Sequence, residues 1–258
     1  MAFFLVIKTP MNVSHAAAWL LFLCLAPGSG AAQPTASTDV VARSLALHDP
    51  GGVWYQRAHR LQLRETRPEA EDRLTEVVLD YPAGLFVMTT VREGRRIEMR
   101  LQDEGGCVAT LDGSTEIAEV DRKKYRLDCE GVAWWRGYQE YLYGLPMKIR
   151  DAGATLEAEA KTATFNGREA LSVRVTYDPT VGGDVWYFYF DPTTFALVGA
   201  RFYHDEAKND GEYLYFEEQI SAGGITLPRV RAWYYNSDDR YLAKDIIESY
   251  EQVPSGQN

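Results

Sequence analysis

Apolar and polar positions alternate with period two along most of this chain, and that alternation predicts β-strands with side chains on opposite faces. "HRLQLRE" near Leu61, "RLTEVVLDY" near Val77, "LFVMTTV" near Val87 and "RRIEMRLQ" near Met99 read this way, separated by "RPEAED", "PAG", "REG" and "DEGG". After Pro146 the pattern resumes with "ATLEAEAKTATF", "EALSVRVTYD", "VWYFYF", "FALVGARFYH", "EYLYFEEQI", "ITLPRVRAWYY" and "RYLAKDIIESYEQV". The intervening turns are short, so sequential antiparallel pairing is the economical topology. Pro228 suits a strand start or an edge, because proline has no N–H to give to a ladder.

Two stretches depart from period two. In "VVARSLALHD", Asp39 is a candidate helix cap and Val40, Val41, Leu45 and Leu47 form an apolar stripe that "HDPGG" ends. Between Asp121 and Pro146, Val132, Trp135, Tyr138 and Leu142 recur at helical spacing, and Gly144 followed by Pro146 is a stop signal. A helix from Cys129 to Tyr143 is expected there, although Gly131 and Gly137 weaken it by about 1 kcal/mol each relative to alanine. "DRKK" at 121–124 reads as a solvated helix end.

The aromatic run Val185–Phe190 sharpens the picture. Trp186, Phe188 and Phe190 share one face, while Val185, Tyr187 and Tyr189 share the other, where phenol hydroxyls tolerate water. About eleven strands are too many for a flat open sheet to hold without curling. The expected fold class is α+β, mainly antiparallel: an unclosed, curved half-barrel with helices covering its concave face. Trp186, Phe188 and Phe190, with some of Phe202, Leu214 and Phe216, are expected on the covered side.

Residues 16–26, "AAAWLLFLCLA", follow Lys8 and precede "PGSGAAQ", the layout of a secretory signal too short to span a membrane. Residues 1–32 are read as that signal, with Met11 an alternative start, and residues 33–258 as one domain. Cys24 is not read as a lipidation site, since Leu21, Phe22 and Leu23 are large. The expected product is exported, periplasmic or extracellular, and soluble after cleavage. Its surviving cysteines, Cys107 and Cys129, then read as one disulfide in an oxidising compartment.

Composition removes several functions. The chain of 258 residues carries a formal charge of −10, and removal of the signal takes away Lys8 but no acid. Nucleic acid and anionic membrane surfaces are poor partners for such a chain. His48-Asp49 is the most suggestive catalytic pair, but no GxSxG or comparable nucleophile motif accompanies it. The expected use is structural, with Asp49 and Pro50 turning the chain and His48 bonding a helix-end carbonyl. His48, His59 and His204 are scattered without metal-ligand spacing, and "HDEAKNDGE" at 204–212 reads as a solvated loop rather than a calcium site. No catalytic residue, metal or cofactor is expected.

"SLALHDPGGVW", "LDGSTEIAEVDRKKYRLDCE", "YLYGLPMKIRDAG" and "WYFYFDPTTFALVGARFYHDE" resemble a secreted family of unknown function, similar in turn to the LolA/LolB type of lipoprotein carrier. The resemblance runs from about Ser44 to Tyr250. It implies an unclosed barrel of about eleven strands with helices across its mouth, and an apolar cavity for acyl chains. The carriers' partners are membrane complexes, so a membrane-associated delivery partner comes with the resemblance, without a segment that places its docking surface. The expected ligand-binding residues are Trp186, Phe188, Phe190 and Phe202 from the sheet, with Leu142 and Leu145 from the cover. "YLYGLP" is either a lid over a guest or a plug that fills the core. The corresponding functions are a carrier of a hydrophobic or lipid-like ligand, or an envelope interaction module with a solid core. An envelope hydrolase is the third and least motivated alternative.

Overall fold

The computed structural model describes residues 35–103 and 106–256, all within one compact unit, Pro34–Asn258. The expected signal segment, with Met11 and Cys24, lies outside the described residues. Among the described residues no helix is long and apolar enough to cross a membrane.

Helix α1 (Ser37–His48) opens the described chain. The strands β1 (Ala58–Thr66), β2 (Arg73–Asp80), β3 (Leu85–Arg92), β4 (Arg95–Gln102) and β5 (Gly106–Leu111) follow as a meander. Helices α2 (Glu119–Tyr125) and α3 (Cys129–Tyr143) come next. The chain then returns to strands: β6 (Ala154–Leu156), β7 (Lys161–Phe165), β8 (Arg168–Tyr177), β9 (Val185–Phe190), β10 (Leu197–Tyr203), β11 (Glu212–Ala222), β12 (Ile225–Tyr235) and β13 (Tyr241–Val253). All pairings are antiparallel, and the thirteen strands make one sheet in the order β5-β4-β3-β2-β1-β13-β12-β11-β10-β9-β8-β6, with β7 also on β8. The two halves of the chain join where β13 pairs with β1.

The α+β, antiparallel class stands, but the curved half-barrel does not. The sheet has thirteen strands rather than about eleven, twelve of them on one open path with β7 beside β8, and it is neither closed nor strongly curled. A physical reason lies in its packing. The main core fills one face, yet Phe165, Ala170, Tyr189 and Tyr213 form a second buried cluster on the other. With apolar packing on both sides of the β8–β11 region, neither side is the obvious inner one. The expected water-facing tyrosine face is corrected at the same point: Tyr189 is buried, its ring stacked 3.8 Å from Phe165. The expected strand "ATLEAEAKTATF" is in fact two, β6 and β7, which share one edge of β8.

Most of the helical reading holds. The strand signals are all present, and α3 runs from Cys129 to Tyr143 as the stop signal predicts. Its N-terminus is capped by Asp128, whose carboxylate accepts from the Gly131 N–H at 2.7 Å. In α1 the cap is Ala36, without a side-chain bond, and Asp39 sits inside the first turn. The buried stripe of α1 is Val40, Val41, Ser44 and His48, whereas Leu47 is exposed. Pro228 lies inside β12, but the β12–β13 ladder begins only at Val230, so the proline occupies a local edge as its chemistry requires.

Candidate functional site

The covered face is divided between two helices. α1 packs near the starts of β10 and β12: His48 Nδ1 donates to the Thr226 carbonyl at 2.8 Å, and its Nε2 accepts the Leu197 N–H at 3.3 Å. His48 is therefore a fully buried strut between two strands, bonding β12 rather than its own helix end. Burial holds its pKa below the ordinary histidine value. The Asp49 carboxylate accepts the Val53 and Trp54 N–H groups at 3.0 and 2.9 Å, which is the expected turn. His59 is likewise engaged through both nitrogens, with Tyr250 and the Trp54 carbonyl. Among the described residues, no group of three or more His, Cys, Asp or Glu side chains could hold a metal ion.

α3 is held at both ends. Cys129, its first residue, is bonded to Cys107 on the edge strand β5, with 5.6 Å between the Cα atoms. At the other end, Leu142 is four residues before Pro146, which has no N–H, so the Leu142 carbonyl has no helical partner. Arg231 of β12 supplies one: its Nε and Nη2 donate to that carbonyl at 3.3 and 3.2 Å, and Nη1 donates to Pro228 O at 2.8 Å. The guanidinium lies 4.5 Å from the Tyr143 ring and 5.6 Å from Phe216, and the whole residue is buried.

Arg231 belongs to a row of polar residues across the covered face. Strand register places Phe216, Arg231, Asp245, Glu65 and Arg73 side by side on β11, β12, β13, β1 and β2. Asp245 accepts the Trp233 indole N–H at 2.7 Å, and burial raises its pKa to about 6. Glu65 takes Arg73 at 3.0 Å and Arg67 at 2.9 Å. Apart from Phe216, none of this row was singled out in the sequence. The signal was there in phase: Arg231 alternates with Trp233, Glu65 with Leu63, and Asp245 with Ile247.

Between this row, α3 and the strand ends lies a cavity of about 450 Å³. Its apolar wall includes Leu142 and Tyr141 from α3, Trp186 from β9, Phe202 from β10 and Trp233 from β12. Trp186 stacks on Phe202 at 4.8 Å and meets Tyr141 edge-on at 5.0 Å. Tyr141 and Tyr177 share a hydrogen bond of 2.6 Å between their hydroxyls. These contacts fix the wall while leaving the space beside it unfilled. The volume is in the range of small-molecule pockets. A smaller space of about 160 Å³ shares Glu65, Trp134, Tyr138 and Asp245 with the first, and extends toward Arg73 and Gln139.

The six expected ligand residues separate into two sets. Leu142, Trp186 and Phe202 line the cavity. Phe188, Phe190 and Leu145 do not: each is 0% exposed in the main core. Within "YLYGLP", Leu145 is packed in the core, while Tyr141 and Leu142 border the cavity. Trp134, Tyr138 and Trp233 were not among the expected site residues.

The sequence matches the model of a family described as a family of unknown function, DUF6503, over residues 17–249. No curated protein is similar enough in sequence to count as a relative. The solved structures to which this chain is similar include three. One is a putative outer membrane lipoprotein-sorting protein domain from Vibrio parahaemolyticus, with 11% identity and a TM-score of 0.49, covering 83% of this chain and 91% of that one. A second is a LolA superfamily protein from Nitrosomonas europaea, with 8% identity and a TM-score of 0.49, covering 85% and 94%. The third is a DUF1329 family protein from Desulfovibrio piger, with 10% identity and a TM-score of 0.46, covering 84% and 93%.

Proposed function

The chain belongs to this family of unknown function, DUF6503, and from that premise we propose that its α3 cavity binds the apolar part of a lipid-like or amphiphilic guest. The observation that carries this reading is the unfilled space of about 450 Å³ walled by Leu142, Tyr141, Trp186, Phe202 and Trp233. A cleft of that size walled by aromatic rings beside a tethered helix suits the apolar part of a small molecule. Each methylene sequestered there contributes about 0.8 kcal/mol to binding. The reading needs no chemistry at the site. An exported, oxidising setting fits the Cys107–Cys129 bond.

A solid-core interaction module is the second reading, and the complete burial of Phe188, Phe190 and Leu145 favours it locally. It leaves the cavity without a purpose. Gentle-ionisation mass spectrometry of protein purified from its native compartment distinguishes the two. The carrier reading expects a bound mass of acyl-chain size that is lost in Trp186→Glu. Protein that carries no adduct and takes up no apolar dye would favour the solid-core module instead.

A further inference from the structure

Resting on that carrier reading, we propose that the head group of the cavity's guest is a cation, a protonated or alkylated amine, and not an anion. The charges around the cavity differ in whether they already have partners. Four carboxylates line it: Glu65, Asp184, Glu212 and Asp245. Two basic side chains line it as well, Arg67 and His204, and both are engaged. Arg67 is paired with Glu65 at 2.9 Å, where Arg73 also donates, and His204 with Asp184 at 2.7 Å.

Two carboxylates are left over. Glu212 has no hydrogen-bond or ion-pair partner among the described residues, and it is half-buried at the start of β11. Asp245 is only 5% exposed, and the Trp233 indole occupies its Oδ2 alone. Its Oδ1 has no partner among the described residues, and the side chain faces the cavity. The nearest buried cation, Arg231, directs its donors to two backbone carbonyls instead.

The remaining wall suits the same charge. Trp134, Trp186, Trp233, Tyr138 and Tyr141 surround the space, and electron-rich ring faces attract ammonium groups, more strongly where water is excluded. An anionic head would come close to Glu212 and Asp245, while Arg67, His204 and Arg231 already bond other groups, so repulsion outweighs attraction. A cationic head would meet two acceptors and several rings.

The test is calorimetric titration at pH 7.5 with three probes that share a decyl chain, kept below micelle formation: decyltrimethylammonium, decyl sulfate and decyl maltoside. Circular dichroism confirms that the fold persists. The ammonium probe is expected to bind about tenfold or more tighter than the sulfate, with the maltoside between them. Glu212→Gln and Asp245→Asn should each weaken the ammonium probe several-fold and leave the maltoside unchanged, whereas Glu116→Gln, in an exposed loop, should alter neither. Sulfate binding as tight as ammonium overturns the proposal, as does equal loss in the Glu116 variant, which would mean attraction by overall charge alone. If all three probes bind alike, the cavity is a carrier site without charge preference. If none binds, the carrier reading fails with it.

Discussion

Arg231→Met isolates the contact that holds the C-terminal end of α3 to the sheet. Methionine keeps much of the unbranched stem, so the change removes donors more than volume. Three hydrogen bonds disappear, two to Leu142 O and one to Pro228 O. Neither acceptor has an obvious replacement, since Pro146 cannot donate to Leu142 and water has no route to a residue that is 0% exposed. A buried carbonyl left without a donor costs roughly 1–3 kcal/mol, so two cost about 2–6. Part of this is offset because a guanidinium no longer has to be desolvated. A net loss of about 3 kcal/mol is expected. Urea denaturation followed by circular dichroism and tryptophan fluorescence measures it, and hydrogen exchange locates it. The last turn of α3 should exchange faster while β3 and β4 are unchanged. Arg231→Lys should rescue little, because a point-like ammonium cannot reproduce the planar fork that meets both carbonyls. Stability within 0.5 kcal/mol of the parent, with the exchange of α3 unaltered, would refute the view of Arg231 as the anchor; that threshold is about the usual effect of a surface change.

Other expectations follow from the same contacts. Phe188→Ala should cost about 3–5 kcal/mol because the ring is fully packed, whereas Trp186→Ala should cost less stability and more affinity for an apolar probe, its ring bordering open space; paired melts and titrations separate the two. Cys107→Ser with Cys129→Ser opens a link across 22 positions and should lower stability by about 3 kcal/mol in non-reducing urea titrations. His59, buried against Trp54, has a pKa lowered to about 4 in the folded chain, against an ordinary value of 6.5. Its contribution to stability is thus complete above pH 6.5 and is lost as pH falls toward 4, which imidazole NMR titration combined with denaturation at pH 7 and pH 4.5 will detect.

The sequence is most informative where one local rule acts alone. The bounds of α3 are legible because a glycine and a proline end the helix within three residues of one another, and the strands because alternation is nearly unbroken. α2 is harder to see as a separate helix, since Tyr125 is its one buried residue and it has no apolar stripe to read. The break between β6 and β7 follows from which edge of β8 each joins, a choice made by tertiary pairing. Curvature is also tertiary: strand number says that a sheet is wide, but packing of Phe165 on Tyr189 decides which faces are buried. For the site, the apolar phase correctly puts Trp186, Phe188, Phe190 and Phe202 on one face. It does not distinguish a ring in the core from a ring on a cavity wall, because that depends on where α3 rests. The polar row failed to stand out for a different reason. Arg231, Asp245 and Glu65 occupy inward positions that a hydrophobicity pattern treats as noise, although each is fixed there by a partner.

The central claim is that the space between α3 and the ends of β9, β10, β12 and β13 takes an apolar guest. Quenching of tryptophan fluorescence by a decyl chain brominated near its end tests it most directly, because bromine quenches only at contact and Trp134, Trp186 and Trp233 all border the cavity. The account predicts saturable quenching that is reduced in Trp186→Phe, with the unbrominated chain competing for the site. Quenching that rises linearly without saturation, or that is unaffected by Trp186→Phe, Trp134→Phe and Trp233→Phe alike, would contradict it.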